Sequence, residues 1–115
     1  MVKLMKYYSE KGLEIIELKG NIQQDETEKI EDVLADFFEK KITKIIIDLR
    51  AVTLIPSATL GVLVNYKRKF KKENGDIYLV SNSEEVFQLL QITMLDKIFK
   101  VYDSVDEAVK LILEE

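Results

Sequence analysis

The 115-residue sequence contains no cysteine and no histidine. Without cysteine the chain has no disulfide bond and no thiol nucleophile, and without histidine it has no imidazole for acid–base catalysis. The two absences also remove the ligands of the usual zinc sites. Most of the common enzyme chemistries are therefore excluded.

Long apolar runs are also missing. No segment approaches the roughly 20 residues of a membrane span, and the N-terminal MVKLMKYYSE lacks the apolar core and cleavage site of a signal peptide. Seventeen basic and 21 acidic residues give a net charge of −4, which does not favour general binding to nucleic acid or anionic lipid. We expect a cytoplasmic protein that binds neither nucleic acid nor membranes.

The composition is that of a folded protein. Hydrophobic residues make up 47% of the chain and charged residues 33%, which is too apolar for a disordered chain. A chain of this length can bury one continuous core. We therefore predict one domain over residues 1–115.

Alternating apolar patterns predict the element order ββαβαβαβα. Two strands, at 2–8 and 13–19, form a hairpin, and the β-branched run at 44–49 is typical of a central strand buried on both faces. Four helices and two further strands follow from helical spacing and cap signals. They are a helix from Asp25, with Glu28 completing a capping box, a helix at 57–73, a strand at 77–80, a helix from Asn82-Ser83, a strand at 98–102 and a helix from Ser104.

This order predicts the α/β architecture of a mostly parallel sheet. Strands that alternate with helices connect by right-handed crossovers, and the opening hairpin adds one antiparallel edge strand. Functional positions in such sheets lie beyond the carboxyl ends of the strands, where loops lead into helices.

The only proline of the chain lies at such a place, in the stretch LIPSATLGVL at 54–63. Pro56 biases Ile55 toward an extended conformation, so the chain leaves the strand here and Ser57 lies at or near the helix cap. Its hydroxyl can cap the helix, or it can accept a phosphate, which the helix N-terminus tolerates. Ala58 and Gly61 leave room for the backbone of a partner, although Gly61 also suits close packing of the helix on a strand. Spacing alone leaves these alternatives open.

A basic run follows on the same helix. It has two interpretations: a solvated face that favours the helix C-terminus, or a docking patch for an acidic surface or a phosphate. Its members are Lys67, Arg68, Lys69, Lys71 and Lys72.

The segment IIIDLRAVTLIPSATLGVLVNYKR at 45–68 resembles the signature of the STAS domain, specifically that of bacterial anti-sigma-factor antagonists. The resemblance extends over essentially the whole chain, because Gly20 and the closing segment at 89–109 also fit the family pattern. The positions that match the signature are Asp48, Leu49, Ser57, Ala58, Leu60 and Gly61.

The resemblance implies a STAS-like fold and a partner-switching role in transcription regulation. In that family the unphosphorylated antagonist binds an anti-sigma factor that is also a serine kinase, and the sigma factor is released. The kinase then phosphorylates the loop serine, and a metal-dependent serine phosphatase reverses the modification. The phosphoacceptor falls on Ser57. The chain would thus be a substrate and partner, not an enzyme, and a monomer when unbound.

Three positions depart from the family pattern. Pro56 and Gln23 stand where aspartates are usual, and Thr59 stands where glycine is usual. Losing two carboxylates eases the placement of a phosphate but removes any role they have in orienting the hydroxyl. Thr59 is a second candidate acceptor, ranked below Ser57.

We expect the partner to contact the Ser57 loop, the start of its helix and the adjacent turn. An alternative is a STAS module that no longer switches and serves as a scaffold or binds a nucleotide or lipid. A small phosphotransfer or hydrolase domain is disfavoured, because there is no histidine, glycine-rich phosphate loop or obvious carboxylate cluster, and we expect no cofactor or metal ion. The predicted contact residues are Gln23, Gln24, Asp25, Pro56, Ser57, Ala58, Thr59 and Gly61.

Overall fold

The computed structural model describes residues 5–42 and 44–115, and the side chains of residues 8–42 and 44–115. Within these residues the element order is ββαβαβαβα, as predicted; positions 2–4 of the first predicted strand lie outside them. The strands are β1 (Met5–Glu10), β2 (Leu13–Asn21), β3 (Lys44–Leu54), β4 (Asp76–Val80) and β5 (Val101–Tyr102). The helices are α1 (Gln24–Glu39), α2 (Ser57–Lys72), α3 (Glu84–Ile92) and α4 (Val105–Leu113).

The five strands form one mixed sheet in the order β1-β2-β3-β4-β5. Only β1 runs antiparallel to its neighbour, which confirms the predicted edge strand and the central position of β3. Lys11 and Gly12 both have positive φ, 51° and 85°, as a tight two-residue hairpin turn requires. The carboxyl ends of β2 to β5 therefore lie along one edge of the sheet.

Helices cover both faces of the sheet. Helices α1, α2 and α3 pack on one face, against side chains such as Ile45 and Ile47 of β3. Helix α4 packs on the other face, against Ile46 and Tyr78. Successive side chains of a strand point to opposite faces, so β3 is buried from both sides, as its β-branched composition predicts.

Several predicted boundaries were wrong. Helix α1 begins at Gln24, and the carboxylate that closes its first turn belongs to Glu26, not Glu28: Oε1 of Glu26 accepts from the backbone N–H of Gln23 at 2.9 Å. Strand β3 continues beyond residue 49 to Leu54 because it keeps pairing with β2. Residues 98–100 follow a short 3-10 turn instead of forming a strand.

The two serine caps were predicted correctly. Ser83 accepts a hydrogen bond from the N–H of Val86 at 3.3 Å at the start of α3. Ser104 accepts one from the N–H of Glu107 at 3.1 Å at the start of α4. Each satisfies one of the N–H groups that a helix leaves without an internal partner.

The basic run at residues 67–72 is a solvated face at the helix C-terminus, as one of its two interpretations predicted, except for Lys67; its other four members are exposed. Lys67 is buried, forms an ion pair with Asp76 at the start of β4, and lies 5.4 Å from the centre of the Phe99 ring. Lys71 approaches the same carboxylate at 3.4 Å. Lys67 and Lys71 therefore link the C-terminal part of α2 to the start of β4 through Asp76.

Candidate functional site

The carboxyl ends of β2 and β3 bring the two predicted contact segments together. Asn21 pairs with Leu54, and the N–H of Ile22 donates to the carbonyl oxygen of Leu54 at 3.2 Å. Immediately after this point Gln23 caps α1 and Pro56 caps α2. The first turns of the two helices thus start side by side at one edge of the sheet.

Ser57 is the first residue of α2 and is exposed. It lies next to the cap, as predicted, but the capping position belongs to Pro56, whose carbonyl oxygen accepts from the N–H groups of Thr59 and Leu60 at 3.1 and 3.3 Å. Among the described residues the Ser57 hydroxyl has no hydrogen-bond partner. The predicted capping role is therefore not fulfilled, and the hydroxyl is open to solvent.

The N-terminus of α2 is electrostatically suited to a phosphate. The first N–H groups of a helix have no internal acceptor, and the helix dipole is positive at this end. No acidic residue lies in the first turn of α2, whereas the first turn of α1 carries Asp25 and Glu26. Nothing in its own first turn therefore compensates the positive end of α2.

Most of the predicted contact residues form an exposed surface on the two first turns. Gly61 is exposed, and a Cβ built on it would meet no atom within 4 Å. The alternative that Gly61 permits close packing on a strand was therefore wrong; its missing side chain leaves open space. The exposed members are Gln23, Gln24, Asp25, Ser57, Ala58 and Gly61, with Pro56 half-buried.

Thr59 is the exception, because it is fully buried at 0% exposure. Its Oγ1 lies 2.8 Å from Oγ1 of Thr27 in α1. A buried hydroxyl with a buried partner is not available to a kinase or to a partner surface. The predictions that Thr59 is a contact residue and a second phosphoacceptor were therefore wrong. Thr59 instead links α2 to α1 through a buried hydrogen bond.

The hydrogen bonds of Thr27 have a defined direction. Thr27 Oγ1 donates to the carbonyl oxygen of Gln23 at 3.1 Å, and a carbonyl oxygen only accepts. Since a hydroxyl has one proton, Thr59 must donate to Thr27. A chain of two hydrogen bonds thus runs from the first turn of α2 to the capping residue of α1.

Sequence reasoning missed Thr27, which is 32 residues from Thr59. The available signal was its position on the apolar stripe of α1, one turn before Ile30 and in line with Leu34 and Phe37. A threonine on such a stripe faces the interior, where its hydroxyl needs a partner.

We expect substitutions of the two threonines to lower the free energy of unfolding by different amounts. Thr27→Val leaves the Thr59 hydroxyl buried without its acceptor and should lower the free energy of unfolding by about 1–3 kcal/mol. Thr59→Val should cost less, because Thr27 keeps its bond to Gln23. The double valine variant should be more stable than Thr27→Val alone. Urea unfolding measures all three, and an equal or larger loss for Thr59→Val would contradict the assigned direction.

Asp48, which matches the signature, lies on the other face of the sheet. It shares the α4 side of β3 with Ile46 and is buried beneath Arg50, which donates to it from Nε at 3.0 Å and Nη2 at 2.9 Å. This hydrogen bond raises the pKa of Arg50. The described residues contain no group of three or more acidic side chains placed to hold a metal ion. The sheet therefore separates Asp48 from the Ser57 surface.

One further structural observation concerns the helices. In the described part of the chain, none is long and apolar enough to cross a membrane.

Comparison with known proteins identifies the family. The model of the STAS domain matches residues 5–108. A protein of Thermotoga neapolitana, provisionally named an anti-sigma factor antagonist, is 40% identical over 78 residues, which are 68% of this chain and 69% of the relative. The chain belongs to the STAS domain family.

Solved structures agree with this assignment. The crystal structure of a provisionally named anti-sigma factor antagonist from Thermotoga maritima has a TM-score of 0.84 and 30% identity, covering 92% of each chain. The Bacillus cell fate determinant SpoIIAA, solved in its phosphorylated form, has a TM-score of 0.77 over 94% of this chain and 98% of its own. At 17% identity, SpoIIAA shows only that the fold is shared.

Proposed function

We propose that the chain is an anti-sigma-factor antagonist that binds an anti-sigma factor with serine kinase activity, and that phosphorylation of Ser57 ends this binding. Membership of the STAS family and the names of the relatives support the antagonist role. The observation that carries the switch is the exposed, unpartnered hydroxyl of Ser57 at the N-terminus of α2.

The proposed chemistry is phosphoryl transfer. The partner kinase moves the γ-phosphoryl group of Mg-ATP to Oγ of Ser57; a new O–P bond forms, the bond to ADP breaks and a base of the kinase accepts the hydroxyl proton. The phosphate brings about −1.5 to −2 charges, which the free N–H groups and the dipole of α2 accommodate. A serine phosphatase uses water to release inorganic phosphate and restores the hydroxyl.

The proposed contact surface consists of the exposed residues of the two first turns. On α1 these are Gln23, Gln24 and Asp25, and on α2 they include Ser57 and Gly61. The open space above Gly61 lets the backbone of a partner approach closely. Two added charges at the centre of this surface would have to be desolvated on binding, which disfavours the complex.

In this proposal the chain is a substrate and binding partner, not a catalyst. It works in the cytoplasm, where the kinase has access to ATP, and is a monomer when unbound. Nucleic acid and membranes play no part in the cycle.

Intact-mass spectrometry tests the modification. The chain is incubated with the candidate anti-sigma kinase of its own genome and Mg-ATP. We expect the mass of one added phosphoryl group, and its absence in Ser57→Ala. Ser83→Ala is the matched control, because Ser83 directly precedes the next helix of the chain but its hydroxyl is engaged as a cap. Measurable binding without any phosphate would contradict the switch and favour the non-switching STAS module.

A further inference from the structure

The buried hydroxyls of Thr27 and Thr59 connect the two halves of the proposed contact surface. We propose that these two threonines are positioning residues that couple the Ser57 turn of α2 to the Gln23 turn of α1. A charge added at Ser57 then alters the α1 turn as well as its own. The use of this coupling in partner switching rests on the proposed function; the coupling itself does not.

The connection begins in the same helical turn as the candidate phosphoacceptor. Thr59 is two residues after Ser57, and its N–H is bonded to the carbonyl oxygen of Pro56. A phosphate or carboxylate at Ser57 draws on the free N–H groups at this end of α2. Because Thr59 is 0% exposed and packed in the interior, a shift of the first turn cannot be absorbed by movement into solvent.

The connection ends in the proposed contact surface of α1. Thr59 donates to Thr27 across 2.8 Å, and Thr27 donates to the carbonyl oxygen of Gln23 across 3.1 Å. That carbonyl belongs to the same peptide unit as the N–H of Gln24. The chain of hydrogen bonds therefore reaches the backbone that presents the exposed side chains of Gln23 and Gln24.

The coupling depends on the hydroxyl of Thr59. Thr59 occupies the position at which the family pattern has glycine, and glycine offers no hydroxyl. The backbone bond from Ile22 to Leu54 also joins the two loops, but it precedes both helices. The threonine pair is a side-chain hydrogen bond between the helices themselves, and it can be removed by mutation.

Amide chemical shifts in ¹H–¹⁵N NMR spectra test the coupling without any partner. Ser57→Asp is introduced into the natural chain, into Thr59→Val and into Thr59→Ser. We expect Ser57→Asp to change the amide chemical shifts of Gln24 and Asp25 in the natural chain. In the Thr59→Val background this change should be at least twofold smaller. Serine, which keeps the hydroxyl, should restore it. Equal shifts with valine and serine would overturn the proposal.

The through-space field of the new carboxylate acts in all three backgrounds, so the difference between valine and serine reports the contribution of the hydroxyl. The double variant Thr27→Val/Thr59→Val is a second test, because it removes both hydroxyls and so cuts the same connection. The same twofold fall is expected there, and an undiminished shift would again overturn the coupling.

Binding to the anti-sigma kinase separates this inference from the proposed function. If Ser57→Asp weakens binding but the amide shifts are equal in all backgrounds, the coupling is wrong and the switch stands. If Ser57→Asp leaves binding unchanged, the switch is wrong, while the comparison of valine with serine still decides the coupling.

Discussion

Ser57→Asp should weaken binding to the anti-sigma kinase by about 10–100-fold, or about 1.4–2.7 kcal/mol, while the folded state becomes no less stable. The carboxylate places a charge on an exposed surface that must be desolvated on binding. In the free protein the same charge lies at the N-terminus of α2, where it stabilises the helix by about 0.3–1 kcal/mol. Ser57→Asp should therefore weaken partner binding while it slightly stabilises the folded protein.

Isothermal titration measures the affinity, and urea unfolding measures the stability. Ser57→Asn is the matched control, since asparagine has nearly the size of aspartate without its charge; we expect it to bind within a few-fold of the natural chain. An equal loss with asparagine would mean that size, not charge, matters. An unchanged affinity with aspartate would remove Ser57 from the interface.

Asp76→Ala should lower the free energy of unfolding by about 3–5 kcal/mol, because it leaves the Lys67 ammonium buried without its partner. Asp76 is 5% exposed and Lys67 is 9% exposed. This is a large part of the 5–15 kcal/mol typical of a domain. Lys71→Ala is the control: its ammonium also faces Asp76, but its side chain is 60% exposed, so we expect a loss of about 1 kcal/mol or less.

Urea unfolding distinguishes these variants. The double variant Lys67→Met/Asp76→Ala should recover part of the loss, because no unpaired charge remains in the interior. Asp76 begins β4 at the edge of the sheet opposite Ser57, so the folded fraction of each variant should bind the partner normally. A loss for Asp76→Ala no greater than for Lys71→Ala would contradict the account of the buried pair.

Local signals in the sequence were sufficient for the fold. The β-branched run at 44–49 indicated a strand covered on both faces, Lys11-Gly12 indicated the hairpin turn, and Ser83 and Ser104 indicated helix starts. Each of these depends on residues close together in the chain. The end of β3 did not follow, because residues 50–54 stay in the strand only by pairing with β2.

The candidate site was predictable only in part, for the same reason. Pro56 and the following apolar stripe locate Ser57 at a strand-to-helix junction, and parallel pairing brings Gln23 to the same edge. The buried state of Thr59 and its bond to Thr27 depend on how α1 and α2 pack, which no local pattern specifies. The burial of Lys67 was not predicted for the same reason, because its partner Asp76 lies in β4.

The most direct test of the antagonist role is a competition measurement. Fluorescence anisotropy follows a labelled sigma factor held by its anti-sigma kinase while the chain is added in its unmodified and its Ser57-phosphorylated forms. We predict that the unmodified chain releases the sigma factor and that the phosphorylated chain does not. No release by the unmodified chain, or equal release by both forms, would contradict the proposed partner switch.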